Sequence, residues 1–160
     1  LTGGVMALGA TSTTDEIYSA FLSDKKSQMF LHGHSYTANP LACTVALASL
    51  EIFRMPETWT SIQNINHQHL QFITEIQSHP SVKNARCLGV ILAVTVCSIS
   101  EETYFNYLRD KLYNHFINQK ILLRPLGNVV YMMPPYCISD KELKMVYSAI
   151  TQLLDELENE

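Results

Sequence analysis

Arg124, within ILLRPLGNVVYMMPP (Ile121 to Pro135), is the residue of this 160-residue chain best suited to chemistry. It stands between a strand-like stretch of Ile and Leu and a second one, Val129 to Met133, where a guanidinium is poorly placed for free solvation. An unpaired buried cation is costly, so the spacing predicts an anionic partner. The planar fork of donors suits a carboxylate, belonging either to the protein in a structural ion pair or to a substrate. Tyr131, on the second stretch, either turns its hydroxyl to the same pocket or buries its ring as an ordinary strand tyrosine.

A second chemical segment is HGHSYT, His32 to Thr37, rich in hydroxyls and followed closely by the helix start Asn39-Pro40. A phosphate needs several donors, and the Ser35 hydroxyl with nearby backbone N–H groups can supply them; a plain loop is the competing reading. His32 and His34 have no second pair of metal ligands nearby, so no metal site is expected. The four cysteines, Cys43, Cys87, Cys97 and Cys137, lack CxxC spacing and sit among apolar neighbours, where they read as small hydrophobes. A reduced, cytoplasmic setting is the simplest reading of that usage. His67 and His69 are expected on the solvated side of an amphipathic helix, without a catalytic role. No GxSxG run is present, so a serine-hydrolase reading has no support.

The chain is long enough for one domain with a proper core, or one domain plus part of another. It is 47% hydrophobic, with a formal net charge of −4 and no run of Lys or Arg, so nucleic-acid binding is not expected. No stretch reaches the ~20 apolar residues that span a bilayer. Leu41 to Phe53, the most apolar segment, is too short and carries Glu51.

These residues need elements to hold them. Thr13 or Thr14 is placed to cap a short helix over Asp15 to Leu22, and Met29 to Leu31 reads as a brief strand. Asn39-Pro40 starts a helix reaching about Phe53, because Pro loses nothing at a first helical position. That helix is apolar nearly all round and demands burial on several sides. After Pro56, apolar residues at helical spacing from Trp59 to Ile76 define a one-faced amphipathic helix. Strands follow at Val82 to Ala85 and Val90 to Cys97, and then a helix marked by Tyr104, Phe105, Leu108, Leu112 and Phe116. Two strands are expected to flank the Arg124 turn, and Ser139 with Glu142 forms a capping box for the last helix. The order beyond Glu57 suits a compact α+β or α/β layer domain, with the boundary near Pro56.

Three segments fall in one order: LTGGVMALGAT (Leu1 to Thr11), HGHSYTANPLACTVALASLEIF (His32 to Phe53) and RPLGNVVYMMPPY (Arg124 to Tyr136). On them the chain resembles the C-terminal part of a class III, pyridoxal-phosphate-dependent aminotransferase, and most closely the biotin-pathway branch. The resemblance covers nearly the whole chain; TANPLAC is the motif shared most widely. It implies an α/β fold, the C-terminal part of a fold-type I transferase. Residues 1–56 would end the large cofactor-binding domain, and residues 57–160 would form the small C-terminal domain.

The resemblance further implies pyridoxal 5′-phosphate as cofactor and a homodimer acting on small molecules, with no nucleic acid, membrane or metal. In the branch resembled, an amino group passes from S-adenosylmethionine to 8-amino-7-oxononanoate. Ser35 and the backbone at His34 would grip the cofactor phosphate of the neighbouring subunit, with Gly33 close to the substrate. Arg124 would hold the substrate carboxylate, and Tyr131 would face it. The family often has Pro at position 34. The Schiff-base lysine belongs two residues before Leu1, so the chain reads as a fragment inactive by itself. Two rivals stand beside this reading: another class III ω-aminotransferase, and a non-catalytic chain that pairs with an aminotransferase-like partner, motivated by the apolar Pro40 to Phe53 helix.

Overall fold

A computed structural model describes residues 1–97 and 108–159. The chain divides into two compact units, Leu1–Met55 and Pro56–Glu160.

In the first unit, the Thr14 hydroxyl accepts the Ile17 amide and caps α1, Asp15–Ser19. The helix stops short of Leu22 because the Phe21 and Leu22 amides turn to the Tyr18 and Ser19 carbonyls, three residues back, which tightens the last turn. Residues 29–31 form no strand: among the described residues none pairs with them, and a ladder needs a partner. A single turn of 3-10 helix, Lys26–Gln28, precedes them. Asn39 caps α2, Pro40–Arg54, by accepting the Leu41 amide at 3.0 Å, with Pro40 in the first turn. Only Ala42 and Ala46 of α2 are buried, whereas Leu41 and Leu47 are more than 60% exposed (68% and 62%). The burial on several sides that its composition demands is not supplied within these 55 residues.

The second unit opens with α3, Pro56–Ile76, whose Ile65, His69, Phe72 and Ile76 are buried. Strands β1 (Val82–Leu88) and β2 (Ile91–Val96) form an antiparallel hairpin, with Leu88 opposite Ile91. Gly89 makes the tight turn between them at φ +58°, a conformation open to glycine at little cost. Helix α4, Leu108–Asn118, follows; the Tyr104 and Phe105 part of its expected span lies outside the described residues. Strand β3, Val129–Met132, joins the far edge of β2, giving an antiparallel sheet in the order β1-β2-β3. Helix α5, Asp140–Glu158, completes the unit behind the expected capping box of Ser139 and Glu142.

Leu92, Val94 and Val96 of β2, with Val130 and Met132 of β3, point to the core that α3, α4 and α5 cover. Strand alternation therefore sends Ala93, Thr95, Val129 and Tyr131 to the other face. The result is an α/β arrangement of helices on one face of a small sheet.

The segment before Arg124 differs from expectation. Helix α4 ends with Lys120 in the left-handed region, φ 62°, while the Ile121 amide reaches back to the Phe116 carbonyl and the Lys120 amide to that of Ile117. This is the paired cap usually built on glycine. Beyond it Ile121 and Leu123 pack against the core and Leu122 is 78% exposed, the alternation of a strand without a ladder.

Candidate functional site

In the first unit the HGHSYT segment is a closed turn over Ser35–Ala38, immediately before α2. The His34 amide donates to Thr37 Oγ1 (3.2 Å), the Thr37 amide to the His34 carbonyl (3.0 Å) and the Tyr36 amide to His34 Nδ1 (3.2 Å). Ala38 takes φ 53° to lead the chain into the Asn39 cap. Gly33, His34 and Ser35 are all exposed. A Cβ added at Gly33 would meet nothing within 4 Å, so local packing does not require glycine there.

The donors suit a phosphate. Ser35 makes no hydrogen bond among the described residues, and Thr37 Oγ1, used as an acceptor, keeps its own proton to donate. A helix N-terminus follows within a few residues, adding favourable dipole. The His34 amide is already engaged by Thr37 and is not an open donor.

In the second unit Arg124 is exposed, which corrects the expectation of a guanidinium withheld from solvent. With no strand at 121–123, that segment forms no wall around it; Pro125 beside it is buried. The adjoining turn is held by several contacts: Leu126 bridges Val129, Gly127 sits at φ 59°, and the buried side-chain Nδ2 of Asn128 donates to the Val96 carbonyl at 2.8 Å. Tyr131 is half-buried on the sheet face opposite the core, in register with Ala93. Arg86 occupies the same row on the other side of Ala93, and its Nη1 donates to Thr95 Oγ1 at 3.3 Å. Sequence reading passed over Arg86, since a single cation in a short strand carries no local signal. Gly33, His34 and Ser35 thus belong to the first unit, Arg124 and Tyr131 to the second.

His69 also differs from expectation: it is fully buried, not solvated. Its Nε2 faces the Val90 carbonyl at 3.0 Å and its Nδ1 the Tyr147 hydroxyl at 2.6 Å. A carbonyl only accepts, so Nε2 carries the proton and Tyr147 donates to Nδ1. Burial lowers the His69 pKa, against the opposing pull of the Val90 hydrogen bond. Burial also pushes the Tyr147 phenol up, with smaller contributions from Cys87 and Glu75. The ring ties α3 to α5 and to the β1–β2 turn. His67, by contrast, is exposed, as expected.

His79, Asp155 and Glu158 bring three possible metal-ligand atoms within 4.8 Å of one another. However, His79 Nδ1 accepts the Ser81 amide, which leaves the proton on Nε2, 3.2 Å from Asp155. That neutral ring donates Nε2–H to the carboxylates, and a metal at Nε2 would displace this proton to Nδ1 and break the Ser81 bond. Of the cysteines, Cys43, Cys97 and Cys137 are exposed. Only Cys87 is part-buried, with its thiol pushed up by burial. The small-hydrophobe reading therefore holds for one of the four.

The model of the class III aminotransferases matches residues 1–154, and the chain belongs to that family. Its relatives narrow the comparison. The adenosylmethionine-8-amino-7-oxononanoate aminotransferase of Synechococcus elongatus is 41% identical over 157 residues, covering 98% of this chain and 36% of the relative. The enzyme of that name from Aquifex aeolicus is 34% identical over 168 residues, covering 100% of this chain and 36% of its own length. Among solved structures, the Methanocaldococcus jannaschii adenosylmethionine-8-amino-7-oxononanoate aminotransferase superposes with a TM-score of 0.79 at 28% identity, over 90% of this chain and 34% of that one. The chain spans about a third of the length of the curated relatives it matches. No described helix is long and apolar enough to cross a membrane.

Proposed function

We propose that this chain forms part of a cytoplasmic, homodimeric aminotransferase that moves an amino group from S-adenosylmethionine to 8-amino-7-oxononanoate in biotin biosynthesis. The similarity to the Synechococcus elongatus enzyme over 98% of the chain carries this reading. Residues 1–56 belong to the end of the large domain and residues 57–160 to the small domain. Pyridoxal 5′-phosphate, when bound, supplies the electron sink that lets a proton leave the amine-bearing carbon.

The residues of this chain bind and orient. The Ser35 hydroxyl, presented by the turn before α2, donates to the cofactor phosphate of the neighbouring subunit, and Gly33 leaves room for the substrate. Arg124, on a turn stiffened by Pro125 and Asn128, receives the substrate carboxylate through its fork of donors. Holding a long flexible acid at the end remote from the reacting carbon restricts its motion where the bond changes occur. Tyr131 borders the same substrate from the sheet face. The lysine that bonds the cofactor lies outside these 160 residues.

The intact polypeptide, loaded with pyridoxal phosphate, should form 7,8-diaminononanoate with S-adenosylmethionine as donor. Arg124→Lys should raise KM for the oxononanoate at least about tenfold, because a point charge replaces a two-pronged contact. Turnover with other amines but none with S-adenosylmethionine would place the protein among other class III ω-aminotransferases instead.

A further inference from the structure

The Ser35 turn is built around its own imidazole. His34 Nδ1 accepts the Tyr36 amide, the His34 amide donates to Thr37 Oγ1, and the His34 carbonyl accepts the Thr37 amide. One residue thus makes three of the bonds that close the segment around Ser35. The turn needs them, since Ala38 holds φ 53° and a non-glycine residue in that region is disfavoured by roughly 1 kcal/mol. The ring itself is seated by others. His32 lies edge-on to it at 6.3 Å, His32 meets Phe30 at 5.6 Å, and Phe30 meets Phe21 at 5.3 Å. An acceptor at Nδ1 bears no proton there, so that nitrogen has nothing to offer an anion.

We propose that His34 is a positioning residue: its imidazole acts as the backbone acceptor that fixes the turn and aims the Ser35 hydroxyl at the cofactor phosphate. This rests on the reading of Ser35 as a phosphate donor. A side-chain acceptor for the amide two residues on is what Asn also provides in an Asx turn, so Asn is the conservative replacement. Asn does not reach as far as Nε2, so it separates the positioning role from a direct contact through that nitrogen.

The test uses the intact polypeptide stripped of cofactor, titrated with pyridoxal 5′-phosphate and, separately, with pyridoxal, which lacks the phosphate. His34→Ala and His34→Phe should weaken pyridoxal-phosphate binding about fivefold to tenfold, the worth of one ordinary hydrogen bond. His34→Asn should stay within about twofold of the parent. None should alter pyridoxal binding. Ser35→Ala should weaken the phosphate form too, and adding His34→Ala to it should bring no further loss. In the apo-protein, hydrogen exchange at the Tyr36 amide should quicken in the Ala and Phe variants and not in Asn, with α5 amides reporting that the fold is intact. Unchanged binding in His34→Ala, or an Asn variant as weak as Ala, overturns the proposal. An unaffected Ser35→Ala overturns the phosphate reading, and with it the purpose assigned to His34, while Tyr36 exchange still reports whether the imidazole holds the turn.

Discussion

Replacing Tyr147 with Phe isolates one hydrogen bond in the core of the second unit. The ring is stacked on Phe72 at 4.4 Å with planes 15° apart, and Phe preserves that contact. What goes is the hydroxyl that donates to His69 Nδ1 across 2.6 Å. His69 is fully buried, so its nitrogen has no access to water as a substitute donor. A buried acceptor left without a partner costs about 1–3 kcal/mol, and a single lost oxygen leaves little cavity to add to this. The expected loss is therefore about 2 kcal/mol. Trp59, the single tryptophan, lies in α3 and reports the unfolding of this unit. Urea unfolding followed by its fluorescence at pH 8 should show the midpoint falling by roughly 1 M with an unchanged slope, taking a slope of about 2 kcal/mol per M. A loss below about 0.5 kcal/mol would refute the view that this hydroxyl is the sole donor to His69.

Three further outcomes follow from named features. Burial depresses the folded-state pKa of His69 below the ordinary histidine value of 6.5, so the unfolded chain binds the proton more readily. Its contribution is complete above pH 6.5 and is lost as the pH falls towards the depressed value; His69→Gln should flatten that part of the stability–pH curve, and parallel curves for the two proteins would contradict it. Lys120→Gly should stabilise the second unit by roughly 0.5–1 kcal/mol in the same urea assay, since glycine relieves the left-handed strain at the end of α4. Ser139→Ala should cost about 1 kcal/mol by removing the α5 cap, whereas Ser139→Asp, which can still accept the Glu142 amide, should recover most of it.

Local rules made several elements legible. Asn39-Pro40 and Ser139 with Glu142 announce their helices because capping bonds form between residues a few positions apart, and both caps form as expected. The Gly89 hairpin follows the same logic. Met29 to Leu31 and Ile121 to Leu123 misled for one shared reason: a strand is defined by a partner, and a short apolar run does not contain its partner. His69 misled because polar residues are assigned to water by default, while its two hydrogen-bond partners lie on a distant helix and a hairpin turn.

By itself the sequence determined the family, the caps and the residues able to do chemistry, because motifs and short-range hydrogen bonds depend on neighbours along the chain. Only the tertiary structure decided that Arg124 stands exposed, that His69 is sealed inside, and that Arg86 shares a row with Tyr131. Exposure and cross-strand register are properties of what packs alongside a residue, and those neighbours come from far along the chain.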